Sequence, residues 1–333
     1  MKLRMYIPAV LSLALAFAGG VSLPSLAQPA PKKITFLTNY VFHGRHSPFF
    51  VGLEKGYYKD AGFDINIQPA TGSGFVVTAI DSGKADYGMA DAGSTIQGIA
   101  KGSKIKSFMV FMDVSTSGLA SLAPYPTLES LKGKRVAASQ SDSARVTLPI
   151  LLERSKLPPT WVEWITADPG VYSSLLMSGQ TDLFTASIDG DVPALDKVAT
   201  TQGKKVYFTS FSDWGYDVFG YLLVAGNDSL AKDPDGAKRF AEATRKAVLY
   251  SIDHPEETAQ IMVKHNATLN YDTTLAQWRQ SIKAVDTPYV KQHGYGVATD
   301  DRLQSTLDFV QRSMKLDTKL GKQDIYAPAL TGR

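Results

Sequence analysis

The sequence predicts an α/β protein of two lobes, each built on a doubly wound sheet, with two crossing segments between the lobes and a helical C-terminal region. Short apolar runs alternate with amphipathic stretches from residue 33 to about 225, a pattern typical of parallel sheets with helices on both faces. From Asn227 onward the pattern is almost wholly helical. Ten strands are too many for one comfortable open sheet, so we expect two sheets.

The expected strands are short and mostly apolar. They are Lys33–Thr38, Asp64–Pro69, Tyr87–Ala90, Lys106–Val114, Leu119–Ala123, Arg135–Ala138, Val162–Thr166, Asp182–Ala186, Lys205–Phe208 and Tyr221–Ala225. Helical patterns lie between most of them and fill the C-terminal region: Pro48–Tyr58, Gly74–Ser82, Ser94–Lys101, Ser143–Ser155, Gly170–Ser178, Pro234–Asp253, Pro255–Asn266, Thr273–Val285 and Asp300–Met314.

Two segments carry turn and polar residues without a helical period, and they divide the strands into two groups. These are residues 114–118 (VSTSG) and 210–220 (SFSDWGYDVFG). We therefore expect lobe one to comprise residues 32–114 and 220–333, and lobe two to be the inserted residues 119–210. The two segments would act as a hinge. In such α/β lobes a ligand lies at the carboxyl ends of the strands, so the cleft between the lobes is the predicted binding site.

The first 27 residues have the pattern of a cleaved secretory signal. Lys2 and Arg4 precede the apolar run IPAVLSLALAFAGGV, and Ser25-Leu26-Ala27 offers a cleavage site. The run is too short for a membrane span and is interrupted by glycines. A retained N-terminal anchor is the alternative. Removing two basic and no acidic residues lowers the net charge from +3 to +1. We expect an exported protein.

Composition excludes several classes of function. No cysteine is present, which removes Cys₄ zinc sites, iron–sulfur clusters and thiol nucleophiles from consideration. The chain is long enough to bury a core without disulfides. The net charge is small and the sequence has no dense run of Lys and Arg. Both observations argue against a nucleic-acid surface. We predict no cofactor.

Polar residues follow three predicted strands of lobe one and should face the cleft. Tyr40, His43 and His46 follow the first strand, and residues 72–74 (Gly-Ser-Gly) follow the second. Glycines there let the backbone approach a ligand, although such a loop is also a common turn. Asp91 follows the third strand. It would accept hydrogen bonds either from a ligand or from the N–H groups of its own helix.

Lobe two and the second crossing add further candidates. Ser139 and Asp142 follow one strand, and Asp189 lies in the loop SIDGD after another. Trp214 and Tyr216 lie in the second crossing segment, where aromatic rings either pack the hinge or stack on a planar ligand. Together with Tyr40 they favour a stacking surface in the cleft.

The pair His43 and His46 admits three interpretations: metal ligands, an acid–base pair, or contacts to a small molecule. His-x₂-His supplies two ligands, whereas zinc sites need three or four protein groups. A catalytic pair lacks a nucleophile or cofactor. We therefore predict ligand contacts, with no catalytic and no metal-binding residue. Arg45, between the histidines, is expected to point to solvent.

The opening segment resembles a known family. YVFHGRHSPFFVGLEKGYYKDAGFDINI is similar to the signature of periplasmic solute-binding proteins related to thiamine-pyrimidine synthases, within the sulfonate–nitrate–taurine binding group. His46 matches the family's histidine, Pro48–Gly52 its following helix, and Glu54–Tyr58 its E-K-G-Y-aromatic phrase. The resemblance extends over about Ile34 to Gly226, through the 72–74 loop, ADYGMADAGS and LKGKRV. Tyr40 replaces the usual Trp, and His43 the usual Asn.

The resemblance implies a two-lobe, type II periplasmic binding fold and a monomeric solute-binding component of an ABC importer. Its partners would be a small molecule and a permease in the inner membrane, and it would work in the periplasm without nucleic acid. The related synthases depend on iron and a cysteine-containing motif, which is absent here, so we expect no enzyme.

The charges of the cleft loops suggest the class of ligand. They carry only Arg45 and Arg145 against four aspartates, at positions 91, 142, 189 and 191. This balance favours a neutral or cationic ligand over an oxyanion. With the aromatic residues and the family resemblance, the predicted solute is planar and nitrogen-heterocyclic, pyrimidine-like or flavin-like. The alternative is a sulfonate, taurine or nitrate-type anion, and remoter alternatives are a pyrimidine-synthase-like enzyme or a ligand receptor of a sensor.

Overall fold

The computed structural model describes residues 1, 30–314 and 318–330. Its contacts separate a unit Met1–Ala30 from a unit Pro31–Arg333, and every strand and helix in the described ranges belongs to the second unit. Apart from Met1, the predicted signal peptide at residues 1–27 lies outside the described residues. No helix in those ranges is long and apolar enough to cross a membrane.

The strands form two five-stranded sheets. In chain order they are β1 (Lys32–Leu37), β2 (Phe63–Gln68), β3 (Tyr87–Asp91), β4 (Ile105–Met112), β5 (Ser117–Ser121), β6 (Arg135–Ala138), β7 (Glu163–Thr166), β8 (Leu183–Ser187), β9 (Tyr207–Ser210) and β10 (Tyr221–Gly226). The first sheet has the order β2-β1-β3-β10-β4 and the second β7-β6-β8-β5-β9. Each lobe therefore has its own sheet, as predicted.

The sheets are not wholly parallel. In the first, β1 runs parallel to β2 and β3, but β10 is antiparallel to both β3 and β4. In the second, β6 runs parallel to β7 and β8, whereas β5 is antiparallel to β8 and β9. β5 and β10 are the strands that follow the two passages between sheets. A chain entering directly from the other lobe needs no crossover helix, so nothing imposes a parallel direction.

Helices cover the sheets and fill the C-terminal region. They are α1 (Ser47–Glu54), α2 (Tyr57–Asp60), α3 (Ser73–Asp81), α4 (Ala92–Ala100), α5 (Ala144–Arg154), α6 (Tyr172–Met177), α7 (Asp191–Thr201), α8 (Asn227–Lys232), α9 (Pro234–Asp253), α10 (Pro255–His265), α11 (Tyr271–Val285), α12 (Pro288–His293), α13 (Asp300–Met314) and α14 (Lys322–Ile325). The predicted helix over residues 48–58 is interrupted at Gly56, whose φ of 74° is left-handed.

Some predicted strand ends are displaced, and local backbone geometry explains one case well. The strand expected over residues 205–208 is β9, Tyr207–Ser210. Gly203 adopts a φ of 62°, and the N–H of Lys204 donates to the carbonyl of Ala199 at 2.9 Å. This closure of the α7 C-terminus occupies the chain through Lys204, and β9 begins at Tyr207, two residues after the predicted start.

The C-terminal helices pack mainly on the first lobe, as expected, but α11 also reaches the second. Phe240 of α9 packs against Phe36 and Tyr87 of the first sheet. Trp278 of α11 is fully buried and donates its indole N–H to the carbonyl of Ser251 at 2.7 Å. Helix α11 additionally contacts α7. The residue limits of the two lobes and of the hinge segments stay a prediction.

Candidate ligand-binding site

A cavity lies between the lobes at the ends of the strands. Its walls are formed by Asn39, Tyr40, Arg45, Gly72, Ser73, Ser117, Gly118, Asp142, Ser143, Ala144, Thr185, Ala186, Ser187, Asp191, Phe211 and Tyr221. The cavity has a volume of about 40 Å³. Both lobes contribute to the walls, so the structure represents a closed cleft.

Asp142 is a carboxylate of the second lobe that faces this cavity. Its Oδ1 accepts a hydrogen bond from the backbone N–H of Ala144 at 2.9 Å, and its Oδ2 accepts one from the hydroxyl of Thr185 at 2.6 Å. Burial raises the pKa of Asp142 to about 6, although these hydrogen bonds oppose the rise. The carboxylate is therefore held in a fixed orientation.

Asp191, the first residue of α7, is a second carboxylate on the wall. Its Oδ2 accepts hydrogen bonds from the backbone N–H and the hydroxyl of Ser187 at 2.8 and 2.9 Å. Burial raises its pKa to about 6, and the charge of Arg45 opposes that rise. Asp189, in the same loop, is the predicted contact. The pattern SIDGD contained the signal for Asp191, but gave no basis for choosing between the two aspartates.

Arg45 lines the cavity, and the prediction that it points to solvent is wrong. The residue is 1% exposed, and its Nη2 lies 3.3 Å from Oδ1 of Asp189. Nη2 also donates to the hydroxyl of Ser187, and the guanidinium lies 5.0 Å from the ring centre of Tyr221. The turn Gly44–His46 before α1 directs this side chain across the cleft into a carboxylate of the other lobe.

Asp189 itself lies behind the cavity wall. It is 0% exposed and does not line the cavity. Besides the contact with Arg45, its Oδ2 accepts a hydrogen bond from the hydroxyl of Ser281 on α11 at 2.8 Å. In this closed structure Asp189 is paired with Arg45 and is not exposed to the cavity.

His46 supports the loop and does not line the cavity. Its Nδ1 accepts a hydrogen bond from the backbone N–H of His43 at 3.0 Å. Nε2, which then carries the hydrogen, lies 3.0 Å from Oδ1 of Asn39. Burial lowers the pKa of His46 well below its usual value, so the ring is neutral. Asn39 lines the cavity, and His46 orients it.

His43 lies at the contact between the lobes. Its Nε2 is 3.6 Å from Oδ1 of Asp191, and its ring centre is 5.5 Å from that of Tyr40. Burial, together with the charge of Arg45, lowers the pKa of His43 to about 3. The neutral ring lies next to the wall formed by Asp191 and Tyr40 rather than in the cavity lining.

The aromatic residues at the cavity are only partly those predicted. Tyr40 lines it together with Phe211 and Tyr221, which were not predicted from the sequence. Trp214 lies beside Phe211 at a centroid distance of 6.2 Å. Tyr216 is buried edge-on to Phe309 of α13 at 5.6 Å. Trp214 and Tyr216 therefore pack the hinge region, which was one of the two predicted alternatives, because each ring lies against a neighbouring aromatic side chain.

The other predicted contacts lie next to the cavity. Gly72 and Ser73 line it, whereas the N–H of Gly74 donates to the carbonyl of Ser141 at 3.1 Å across the cleft. The hydroxyl of Ser139 donates to the carbonyl of Thr71 at 2.6 Å. These contacts join the two lobes directly in the closed structure.

Asp91 is used by its own helix. Its Oδ1 accepts a hydrogen bond from the backbone N–H of Ser94 at 2.9 Å, which caps α4. Of the two predicted alternatives, Asp91 thus binds the N–H groups of its own helix, and it does not line the cavity. Within the described ranges, no three His, Cys, Asp or Glu side chains are grouped so that they could hold a metal ion.

The two cavity carboxylates make stability depend on pH. Their pKa values of about 6 exceed that of an unfolded aspartate, about 3.9. Between these values the folded state binds more protons than the unfolded state. Asp142 and Asp191 therefore lower the free energy of unfolding as pH rises from about 4 to about 6, by up to about 3 kcal/mol each.

Urea denaturation of the wild type and of an Asp142→Asn/Asp191→Asn variant at pH 4, 5, 6 and 7 measures this effect. We expect the variant to gain stability relative to wild type as pH rises, since asparagine does not ionise. Asp196→Asn, a change at an exposed position of α7, is the control and should show no such trend. A difference that is constant with pH, or that runs in the opposite direction, contradicts the prediction.

The fold is shared with solved structures of periplasmic binding proteins. A protein of Bordetella bronchiseptica RB50 superposes with a TM-score of 0.72 at 18% identity, over 90% of this chain and 95% of that one. The ligand-binding component of an ABC-type import system from Staphylococcus aureus gives 0.64 at 12% identity, over 90% and 97%. The alkanesulfonate-binding protein SsuA from Xanthomonas axonopodis pv. citri gives 0.64 at 13%, over 90% and 100%. The predicted two-lobe α/β periplasmic binding protein fold is confirmed.

The chain belongs to the NMT1/THI5-like family, whose model matches residues 43–258. A 4-amino-5-hydroxymethyl-2-methylpyrimidine phosphate synthase of Saccharomyces cerevisiae, THI13, is 25% identical over 281 residues, which are 79% of this chain and 82% of the relative. A protein of Brucella abortus named as a binding protein is also 25% identical, over 276 residues and 79% of each chain. The resemblance stated from the sequence is thus confirmed.

The prediction that the chain is not an enzyme is contradicted by the same comparison. The yeast relative, which matches most of the chain, is named as a synthase. The prediction relied on the absent cysteine motif to separate this chain from the synthases. The similarity covers the body of both lobes, so the lack of one motif was too little evidence for that separation.

Proposed function

We propose that the protein captures a small, planar, nitrogen-heterocyclic solute, pyrimidine-like or flavin-like, in the cavity between its lobes. The observation that carries this proposal is the pair of oriented carboxylates, Asp142 and Asp191, on one cavity with Tyr40 and Tyr221. Ring amines and ring N–H groups donate hydrogen bonds that carboxylates accept strongly, and aromatic faces suit a planar ring.

The balance of charge at the cavity supports a neutral or cationic ligand over an oxyanion. Arg45 is paired with Asp189 at 3.3 Å, so part of its charge is already compensated. Among the described wall residues, Asp142 and Asp191 have no further cation to pair with. An anionic ligand would therefore meet net negative charge in a water-poor site, where like charges repel strongly.

The solute would be delivered to a membrane transporter. The similar solved structures include the ligand-binding component of an ABC-type import system and an alkanesulfonate-binding protein. By analogy with them, we propose that this protein works in the periplasm, with the hinge at residues 114–118 and 210–220, and delivers its solute as a monomer to an ABC permease of the inner membrane. That assignment rests on shared fold, and binding itself is the first point to test.

Thermal unfolding against a panel of solutes tests the ligand class. We expect 4-amino-5-hydroxymethyl-2-methylpyrimidine or riboflavin to raise the melting temperature more than taurine, methanesulfonate or nitrate does. A ligand at about 100 times its dissociation constant should stabilise the protein by about 2.7 kcal/mol. The opposite ranking would overturn the proposed ligand class, and no stabilisation by any solute would overturn the proposed function.

The name of the yeast relative favours a second candidate function, formation of a pyrimidine at the same cavity. Substrate loss and product formation, followed by mass spectrometry with substrate in large excess over protein, distinguish the two. More than one product per protein chain would establish the synthase function. Stoichiometric binding with recovery of the unchanged solute would support solute capture.

A further inference from the structure

Arg45 is a cation at a cavity that otherwise carries carboxylates. Among the described wall residues it is the one with a positive charge, and Asp142 and Asp191 are those with a negative charge. Its Nε is buried without a hydrogen-bond partner, so the guanidinium still has an unused donor. A free arginine in this position would be well suited to bind an oxyanion, because its donors match planar and tetrahedral oxyanions.

Asp189 prevents that use. It is fully buried, its Oδ1 is 3.3 Å from Nη2 of Arg45, and it lies outside the cavity lining. The hydroxyl of Ser281 holds the other carboxylate oxygen at 2.8 Å. A carboxylate at this distance in a poorly hydrated interior interacts strongly with the arginine and compensates part of its charge. The compensation comes from behind the wall, where no ligand can displace it.

We propose that Asp189 is the residue that sets the charge preference of this cavity, and that it does so by neutralising Arg45. It is a positioning residue, since it acts through the arginine without touching the ligand. The inference rests on the proposed ligand-binding role of the cavity. It predicts that one substitution behind the wall increases the affinity of the cavity for small oxyanions.

The experiment compares Asp189→Asn with Asp196→Asn, a control that removes one negative charge from an exposed position on α7. Both changes remove one negative charge and keep the side-chain size, but only the first frees Arg45. Thermal unfolding of both variants, of the wild type and of the double variant Arg45→Gln/Asp189→Asn is recorded in identical series of methanesulfonate and nitrate. Identical buffers cancel the general effect of ionic strength.

We expect the anions to raise the melting temperature of Asp189→Asn by on the order of 2 °C at about five times their dissociation constant. The wild type, Asp196→Asn and the double variant should show no such rise. If Asp189→Asn is unfolded in plain buffer, recovery of the folded state by added anion is the equivalent result. Equal responses of the two single variants, or no response of Asp189→Asn in either form of the test, would overturn the inference.

Failure of the inference is distinguishable from failure of the proposed function. The anion series concerns only the freed arginine, whereas the heterocycle panel concerns the wild-type cavity. Heterocycle binding by the wild type without an anion response in Asp189→Asn leaves the proposed function intact and rejects the role of Asp189. Anion binding by Asp189→Asn without heterocycle binding by the wild type supports the role of Asp189 and rejects the proposed ligand class.

Discussion

Replacing both cavity carboxylates, Asp142→Asn together with Asp191→Asn, is expected to lower the affinity for a bound heterocycle by about 100-fold or more. Hydrogen bonds to charged groups contribute about 1.5–3 kcal/mol each, and about 1.4 kcal/mol is a factor of ten in the dissociation constant. Asparagine keeps the size of the side chain and one acceptor oxygen, so the loss reports the missing charge rather than a changed shape.

Isothermal titration of the double variant and of each single variant measures this loss. Each single change should cost about tenfold or somewhat more. Asp196→Asn is the control, because it removes the same charge from an exposed position on the same helix as Asp191. Unchanged affinity in the double variant would show that the two carboxylates do not contact the solute. The same variant is expected to gain stability relative to the wild type as pH rises, so above about pH 5 binding and stability make opposite demands on this site.

Gly190→Ala is expected to prevent full closure of the cleft. A Cβ at Gly190 would collide with Nδ1 of His43, and it would lie 2.5 Å from Nη2 of Arg45. Both side chains come from the other lobe, and Asp189 and Asp191 hold them in place. The φ of Gly190 is −105°, so alanine fits the backbone and the whole effect is steric. Such overpacking costs about 1–3 kcal/mol.

The variant should bind solute at least about tenfold more weakly, and its radius of gyration with saturating solute should exceed that of the liganded wild type in small-angle X-ray scattering. Gly226→Ala is the matched control, since the nearest atom to its Cβ would be 3.9 Å away and its φ is −65°. A liganded Gly190→Ala protein with wild-type dimensions and wild-type affinity would mean that the lobes need not approach as closely as the structure indicates.

Closure brings the whole site together, because its parts come from segments far apart in the chain. The carbonyl of Gly190 accepts a hydrogen bond from Nε2 of Gln277 at 2.5 Å, and Gln277 also accepts the N–H of Gly44 at 2.8 Å through its Oε1. Helix α11 thus bridges the loop before α1 and the loop before α7. The helical C-terminal region therefore takes part in closing the cleft, in addition to covering the first sheet.

The apolar periodicity of the sequence was sufficient to predict ten strands and their division into two sheets. It could not predict that β5 and β10 run antiparallel to their neighbours, because strand direction depends on how the chain enters each sheet. It also could not place the aromatic rings. Tyr216 and Tyr221 both lie in or next to the second crossing segment, and only Tyr221 lines the cavity.

By itself the sequence determined the two-lobe α/β fold, the family and the loops that meet at the cleft, because periodicity and turn chemistry are local properties of the chain. Only the tertiary structure decided which side chain of each loop faces the cavity. Arg45 does so rather than His46, and Asp191 rather than Asp189. These choices depend on partners far away in the chain, such as Asp189 for Arg45 and Ser281 for Asp189. Such long-range pairing of buried charges and hydroxyl groups leaves no trace in local spacing.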